Sequence, residues 1–296
     1  MKRDEYIEMV VKSFIDSLDE HGTDWKKGWL TTSNGNSFIP MNGTTDQEYN
    51  GSNVFVLMAL GAAHGFESNK WASYKQWQAA GKQVPKGTKA AGFVRKFVQG
   101  TYEDQHGEEQ YYQTFKVHAV FNEEQLEGYE REEVPVKPSD VKKQVMAEVF
   151  INKLGADVVE GGDRACYVPE LDRILMPSTW KFKDTDDATA TENYYSTLLH
   201  EHVHWTGHKS RLDRELNGSS FSTSYAFEEL VAELGSVLLT LQLGLSRQPT
   251  LDHAKYINGW KKGLKDQPAA LLKAMAQAQK AVDWMSERQT EKIAAE

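Results

Sequence analysis

The run His200-Glu201-His202-Val203-His204 is an HExxH pattern. Two imidazoles four positions apart lie about 40° apart on one face of an α-helix, close enough to grip a single divalent cation. Glu201 is next to His200 and can reach a water on that ion. The chemistry this implies is metal-assisted hydrolysis, with Glu201 as the acid/base. The surroundings read as a helix. Leu198, Leu199 and Val203 supply apolar contacts, Thr189 and Thr191 are candidate N-caps, and Gly207 suits the position after the last turn. His202 points to another side.

A third ligand is needed. Six residues after His204, where a metzincin carries its third histidine, stands Ser210, and His208 follows a helix-ending glycine. Residues 227–241 are apolar on nearly every side except a stripe of Glu229, Glu233, Ser236 and Thr240. A helix of this kind is buried, and a buried carboxylate is costly unless paired or bound to metal. The simplest assignment makes Glu229 the third ligand. Glu233, one turn on, then accepts a hydrogen bond from a ligating histidine. HExxH followed by such a glutamate pair is the gluzincin form. The competing reading has Glu229 and Glu233 in ordinary salt bridges to Lys or Arg. Glu228 reads as a surface acid. One Zn2+ per chain is the expected cofactor, with another divalent metal as the alternative, and Tyr225 or Tyr167 is the candidate donor to a developing oxyanion.

These pieces belong to a chain of 296 residues, long enough for two domains with separate cores. The single cysteine, Cys166, excludes an intramolecular disulfide framework and a cysteine-rich zinc site, and reads as a small buried hydrophobe. The N-terminal residues run into an amphipathic stretch, not an apolar signal core, and no segment has the length of a membrane span, so a cytoplasmic protein without a membrane partner is expected. A net charge of -9 argues against nucleic acid only if charge is evenly spread. It is not. Between residues 69 and 96 lie Lys70, Lys75, Lys82, Lys86, Lys89, Arg95 and Lys96 with no acid, interleaved with Trp71, Tyr74, Trp77 and Phe93. Lysines attract phosphates and aromatic rings stack on unpaired bases, so these residues form a candidate single-stranded DNA site. Alternatively, Trp71, Tyr74 and Trp77, spaced by three on a short helix, are core and the lysines a solvated face.

The remaining patterning gives an α+β chain. Helices are predicted over residues 4–20, 54–60 and 141–154, and again beyond Leu245. Residues 91–99 and 111–121 form an antiparallel hairpin around Asp104-Gln105-His106-Gly107, and two short strands occupy 165–169 and 172–177. An acidic, proline-marked stretch divides the chain into a first domain at 1–128, a linker at 129–138 and a mainly helical domain at 139–296. Few contacts are expected across that linker, so the first domain should fold alone.

Together these stretches resemble the antirestriction protein ArdC family. The resemblance rests on Pro40-Met41-Asn42-Gly43-Thr44-Thr45, Tyr49-Asn50-Gly51-Ser52-Asn53, Trp71-Ala72-Ser73-Tyr74-Lys75-Gln76, Gly81-Lys82-Gln83-Val84-Pro85-Lys86-Gly87, Val120-Phe121-Asn122-Glu123-Glu124-Gln125, His200 to Trp205 and Glu228 to Gly235. It implies an N-terminal single-stranded DNA-binding domain joined to a C-terminal zincin-like metallopeptidase domain, and protection of incoming plasmid DNA from host restriction. It also implies His200, His204 and Glu229 as metal ligands and Glu201 as the catalytic residue. A host protein such as a restriction-system component is the expected peptide substrate. Two other readings stand beside this one: a DNA-coating protein whose metal is only structural, and a DNA-dependent protease, similar to the SprT-like proteases, that acts on DNA-bound proteins.

Overall fold

Six apolar residues at helical spacing, Tyr6, Ile7, Val10, Val11, Phe14 and Leu18, are all buried along one side of α1 (Arg3–His21). What covers them determines how the two halves of the chain are joined. The computed structural model describes residues 1–22, 39–130, 140–185, 188–214, 216, 223–245 and 254–290. The loop-rich stretch with Trp25 and Trp29 lies outside the described residues, as does the predicted linker from residue 131 onward.

The first half continues with β1 (Met41–Asn42), α2 (Ser52–His64), β2 (Lys70–Ala72), α3 (Tyr74–Ala79), β3 (Gly92–Glu103) and β4 (Glu109–Asn122). They form a sheet of order β1-β2-β4-β3, in which β1 and β2 run parallel and the other pairs are antiparallel. The β3–β4 hairpin is longer than predicted. Asp104 extends it by accepting hydrogen bonds from the backbone of His106 and Glu108 and from the Gln110 side chain, which closes the turn.

The second half holds α4 (Asp140–Leu154), β5 (Asp157–Glu160), β6 (Cys166–Val168), β7 (Arg173–Met176), α5 (Ala190–Thr206), α6 (Thr223–Gln242), α7 (Ala254–Asp266) and α8 (Ala269–Thr290). The predicted hairpin is β6 paired antiparallel to β7. A strand not predicted, β5, adds parallel to the other edge of β7, giving the order β5-β7-β6. The sheet packs on α5, and α6 packs on α5, α7 and α8. Leu230 to Leu241 of α6 are buried all round, as the apolar run requires. No helix of the described residues is long and apolar enough to cross a membrane.

The apolar core is continuous. Buried side chains of α1 and α2 join those of α5, α6, α7 and α8 in one cluster, and α1 touches β4 on one side and α7 and α8 on the other. Polar links reinforce this: the Gly51 N–H donates to Gln279 Oε1 at 2.9 Å, and Lys261 pairs with Asp19. Few contacts between the halves were expected, and the structure corrects that. One helix near the N-terminus fills a groove made partly by the last two, a pairing that no local sequence pattern reveals.

Close approach of α5 and α6 depends on Gly235. A β-carbon there would stand 2.8 Å from Val203 Cγ2, inside van der Waals contact. Gly235→Ala should therefore push the two helices apart and lower stability by about 1 to 3 kcal/mol, read by urea unfolding. A fragment ending near Tyr129 strips α1 of half its cover. It should melt well below the full chain and bind the dye ANS, both measurable by a thermal scan.

Candidate metal centre

Helix α5 begins with a capping box. Thr189 Oγ1 accepts from the Glu192 N–H, and the Glu192 carboxylate accepts from the Thr189 N–H at 3.0 Å. Thr189, not Thr191, is thus the N-cap. From that start the helix carries His200, Glu201 and His204 into the interior, where His200 and Glu201 are 2% and 4% exposed. Helix α6 crosses it and presents Glu228, Glu229 and Glu233, all buried.

Among the described residues His200, His204 and Glu229 form a group with one ligand atom each, all within 4.8 Å of one another. The two Nε2 atoms are 3.2 Å apart. Glu229 Oε2 is 3.7 Å from His200 Nε2, and Glu229 Oε1 is 3.6 Å from His204 Nε2. Tetrahedral ligands on zinc stand about 3.3 Å from one another, so the spacing fits such an ion. Each imidazole is oriented from behind. His200 Nδ1 faces Glu233 Oε1 at 3.4 Å, and His204 Nδ1 donates to Glu228 Oε1 at 3.2 Å. Directing both Nδ1 atoms at carboxylates turns both Nε2 atoms toward Glu229.

Glu228 was expected at the surface, and the structure corrects this: it is 3% exposed. Arg214 makes the burial tolerable by gripping it with Nε at 3.0 Å and Nη2 at 2.8 Å. The same guanidinium bonds Val203 O and Thr206 Oγ1, so it also closes the end of α5. Sequence reasoning missed Glu228 because the apolar run gave no sign that an arginine from the preceding loop would meet it. Glu229 faces both imidazoles, and Glu233 faces that of His200. Ser236 and Thr240, the rest of the polar stripe, bond back to carbonyls of their own helix.

The site is dense in buried charge. Four buried carboxylates, from Glu201, Glu228, Glu229 and Glu233, meet one buried guanidinium, from Arg214. Burial lowers the pKa of His200. Hydrogen bonds to Glu229 and Glu233 and the charges of Glu233 and Glu201 outweigh that and push it up to about 10. Burial likewise raises Glu229, but the hydrogen bond from His200 and the charges of His204 and His200 pull it down to about 2. Glu201 goes the other way. Its burial raises the carboxyl pKa, and the two imidazoles only partly offset this. The donor set and the spacing together fit a divalent metal.

Two further groups border the cluster. The Tyr167 N–H of edge strand β6 donates to Glu201 Oε2 at 2.7 Å and so fixes that carboxylate. The Tyr167 hydroxyl is committed elsewhere, donating to Asp172 Oδ1 and accepting from Arg211. Tyr225, the other candidate oxyanion donor, bonds Glu229. Cys166, expected to be buried, is half-buried beside Glu201.

In the first half, the structure buries both tryptophans of the basic stretch. Trp71 is 1% exposed, on β2 and not on a helix with Tyr74 and Trp77, and packs with Leu57, Ala91, Val94 and Val120. Trp77 is 0% exposed, and its Nε1 donates to Phe121 O at 3.0 Å. Neither can offer a ring face to a base, which corrects the expectation for both; Tyr74 alone of the three is exposed. Lys82 pairs with Glu123 at 2.8 Å and Lys70 approaches the same carboxylate at 4.0 Å. The acid-free run thus meets its acid in space, because the β2–β4 pairing sets Trp71 opposite Asn122. Arg95 is half-buried over the rings of Phe97 and Phe115. Lys75, Lys86, Lys89 and Lys96 are exposed.

Comparison with known proteins agrees with both halves. Residues 4–141 match the family model for the N-terminal domain of anti-restriction factor ArdC, and residues 145–277 match that for a zincin-like metallopeptidase. The chain is similar to the uncharacterized protein y4eC of Sinorhizobium fredii, 35% identical over 299 residues that cover 96% of this chain and 92% of that one. It is also 35% identical over 303 residues to the DNA primase TraC of Escherichia coli, covering 94% of this chain but only 27% of TraC. Of solved structures, it is similar to the antirestriction ArdC protein from R388 plasmid. The metal-free form superposes with a TM-score of 0.76 and the Mn(II)-bound form with 0.74, each at 34% identity, covering 96% of this chain and 97% and 98% of those chains. With relatives matched over nearly their whole length, this chain belongs to the ArdC antirestriction family and carries a zincin-like metallopeptidase domain in its second half.

Proposed function

We propose that the protein is an antirestriction factor that binds single-stranded DNA and hydrolyses peptide bonds at a zinc centre, protecting incoming plasmid DNA in the cytoplasm of the recipient. The observation that carries the hydrolytic reading is the buried Glu201, held by the Tyr167 N–H beside three converging ligand groups. A metal that served only to staple two helices would need no such carboxylate. His200, His204 and Glu229 would hold the ion, with Glu233 and Glu228 keeping the two imidazoles in place. When bound, zinc supplies the Lewis acidity that lowers the pKa of a water to about 7 and polarises a carbonyl. Glu201 accepts the proton of the attacking water and passes it to the leaving amine. One of its oxygens stays pinned to β6, and its raised pKa suits it to the second, acidic role. Tyr225, whose hydroxyl bonds Glu229, is the remaining candidate donor to the oxyanion, a role that would require it to leave that carboxylate. Among the described residues β6 is an edge strand, and an extended peptide would pair with the backbone it leaves beside the Tyr167 N–H, which is itself held by Glu201.

The DNA half of the reading is supported by the match to the ArdC N-terminal domain, by the relative named as a DNA primase, and by the exposed Lys75, Lys86, Lys89 and Lys96. The primase activity in that name is not carried over. Zinc is favoured by two imidazoles with one carboxylate, and Mn(II), which the solved ArdC relative binds, is the alternative.

Elemental analysis and activity assays on single variants test the proposal. His204→Ala and Glu229→Ala should lose the ion and melt earlier, as should wild type dialysed against a chelator. Glu201→Gln should keep the metal and the melting temperature but lose hydrolysis. Glu233→Ala and Glu228→Ala should each weaken metal affinity about 10- to 100-fold. Mass spectrometry of host proteins exposed to wild type or Glu201→Gln, with and without single-stranded DNA, reads turnover. Identical peptide patterns from the two proteins would leave DNA coating as the function.

A further inference from the structure

Beyond the last residue paired to β2, the β3–β4 hairpin continues as a two-stranded ribbon with no further neighbour in its sheet among the described residues. Residues directly opposite share a face. Near its base one face carries Phe93, Arg95, Phe115 and Val117 and is packed against the core, Phe115 lying 5.9 Å from the Tyr6 ring of α1, while farther out Phe97 and Tyr111 of that face are exposed. The other face carries, in cross-strand pairs, Val94 with His118, Lys96 with Lys116, Val98 with Thr114, Gly100 with Tyr112 and Tyr102 with Gln110. It holds no carboxylate along this length, although the chain as a whole has a net charge of -9.

Three features of that face are unusual for a solvated surface. Lys96 and Lys116 are exposed and directly opposite each other, an arrangement that destabilises a strand pair, and among the described residues neither has an acidic partner. Tyr112 lies across Gly100: a β-carbon at that glycine would stand 2.6 Å from the ring. The glycine lets the ring lie flat along the ribbon with its outer face open, at 47% exposure. Tyr102 extends the row, 55% exposed, with its ring centre 6.4 Å from that of Tyr112. Two ring faces and two unpaired ammonium groups therefore follow one another over roughly 20 Å of strand.

We infer that this ribbon face is the track on which single-stranded nucleic acid lies, with Tyr112 and Tyr102 stacking on bases and Lys96 and Lys116 meeting the phosphates. A polyanion between the two lysines relieves their repulsion, and unpaired bases cover ring faces that the fold leaves open. A duplex, with its bases already stacked, would meet only the lysines. The inference rests on the proposed single-strand binding and moves its centre from the 70–89 stretch, whose two tryptophans are buried, to the hairpin.

Fluorescence anisotropy with fluorescein-labelled oligo(dT) and the full-length chain tests it. Tyr102→Ala with Tyr112→Ala should weaken binding about 30-fold or more, taking roughly 5-fold per stacked base as the lower bound. Tyr102→Phe with Tyr112→Phe keeps both rings and should bind like wild type. Lys96→Gln with Lys116→Gln should lower the slope of log affinity against log salt by about 1.4, and Lys82→Gln with Lys86→Gln and Lys89→Gln should change it less. Unaltered melting temperatures show that the variants are folded. Wild-type binding that survives both the Ala and the Gln pairs would overturn the track, leave DNA binding elsewhere on the protein, and free the ribbon for a protein partner. Equal losses in the Phe and Ala pairs would overturn stacking. No binding of oligo(dT) by wild type would overturn the DNA reading and the track with it.

Discussion

Glutamates of α6 facing the histidines of α5 across a buried interface constrain the rest of the second half. Carboxylates in a water-excluded interior are tolerable only with positive charge close by, and here that charge is supplied at two points. Arg214 neutralises Glu228, and an ion between His200, His204 and Glu229 would neutralise the others. The surroundings follow from this need. The helices must approach closely, so α6 has a glycine where Val203 meets it. The imidazoles must not rotate, so each has an acid behind it. The loop after α5 must return an arginine to the helix end, so Arg214 bonds Val203 O and Thr206 as well as Glu228.

Much of this centre could be read from the sequence, because helical spacing is itself a geometric statement. His200 and His204 had to share a face, and an all-apolar helix with acids on one stripe had to bury them. Glu228 could not be read in the same way. It is adjacent to Glu229 and differs from it by one step of rotation, and whether that step meets solvent or His204 depends on how the two helices cross. The Tyr167 N–H on Glu201 was equally hidden, since backbone donors carry no signature in residue type.

The first half shows the opposite limit. A run of lysines and aromatics suggested a surface, but side-chain type does not say which residues the pleat and the sheet enclose. Trp71 and Trp77 went into two small cores, and Glu123 reached Lys82 from 41 positions away. Exposed rings turned up on the ribbon instead, where strand alternation alone predicts a polar face. Pairing between β2 and β4 decides this, and it links segments too far apart for any local pattern to register.

Helix α1 has a mechanical consequence. Because its apolar side is clasped by the strands of one half and the terminal helices of the other, the two halves cannot pivot about the connecting segment as a flail does about its chain. A strand of DNA gripped by the first half, on the function proposed above, would be held at a constant span from the histidine pair in the second. The molecule would then act as a caliper: which bonds it cut would be decided by how far along the strand a bound protein sits, as much as by the sequence of the peptide it presents.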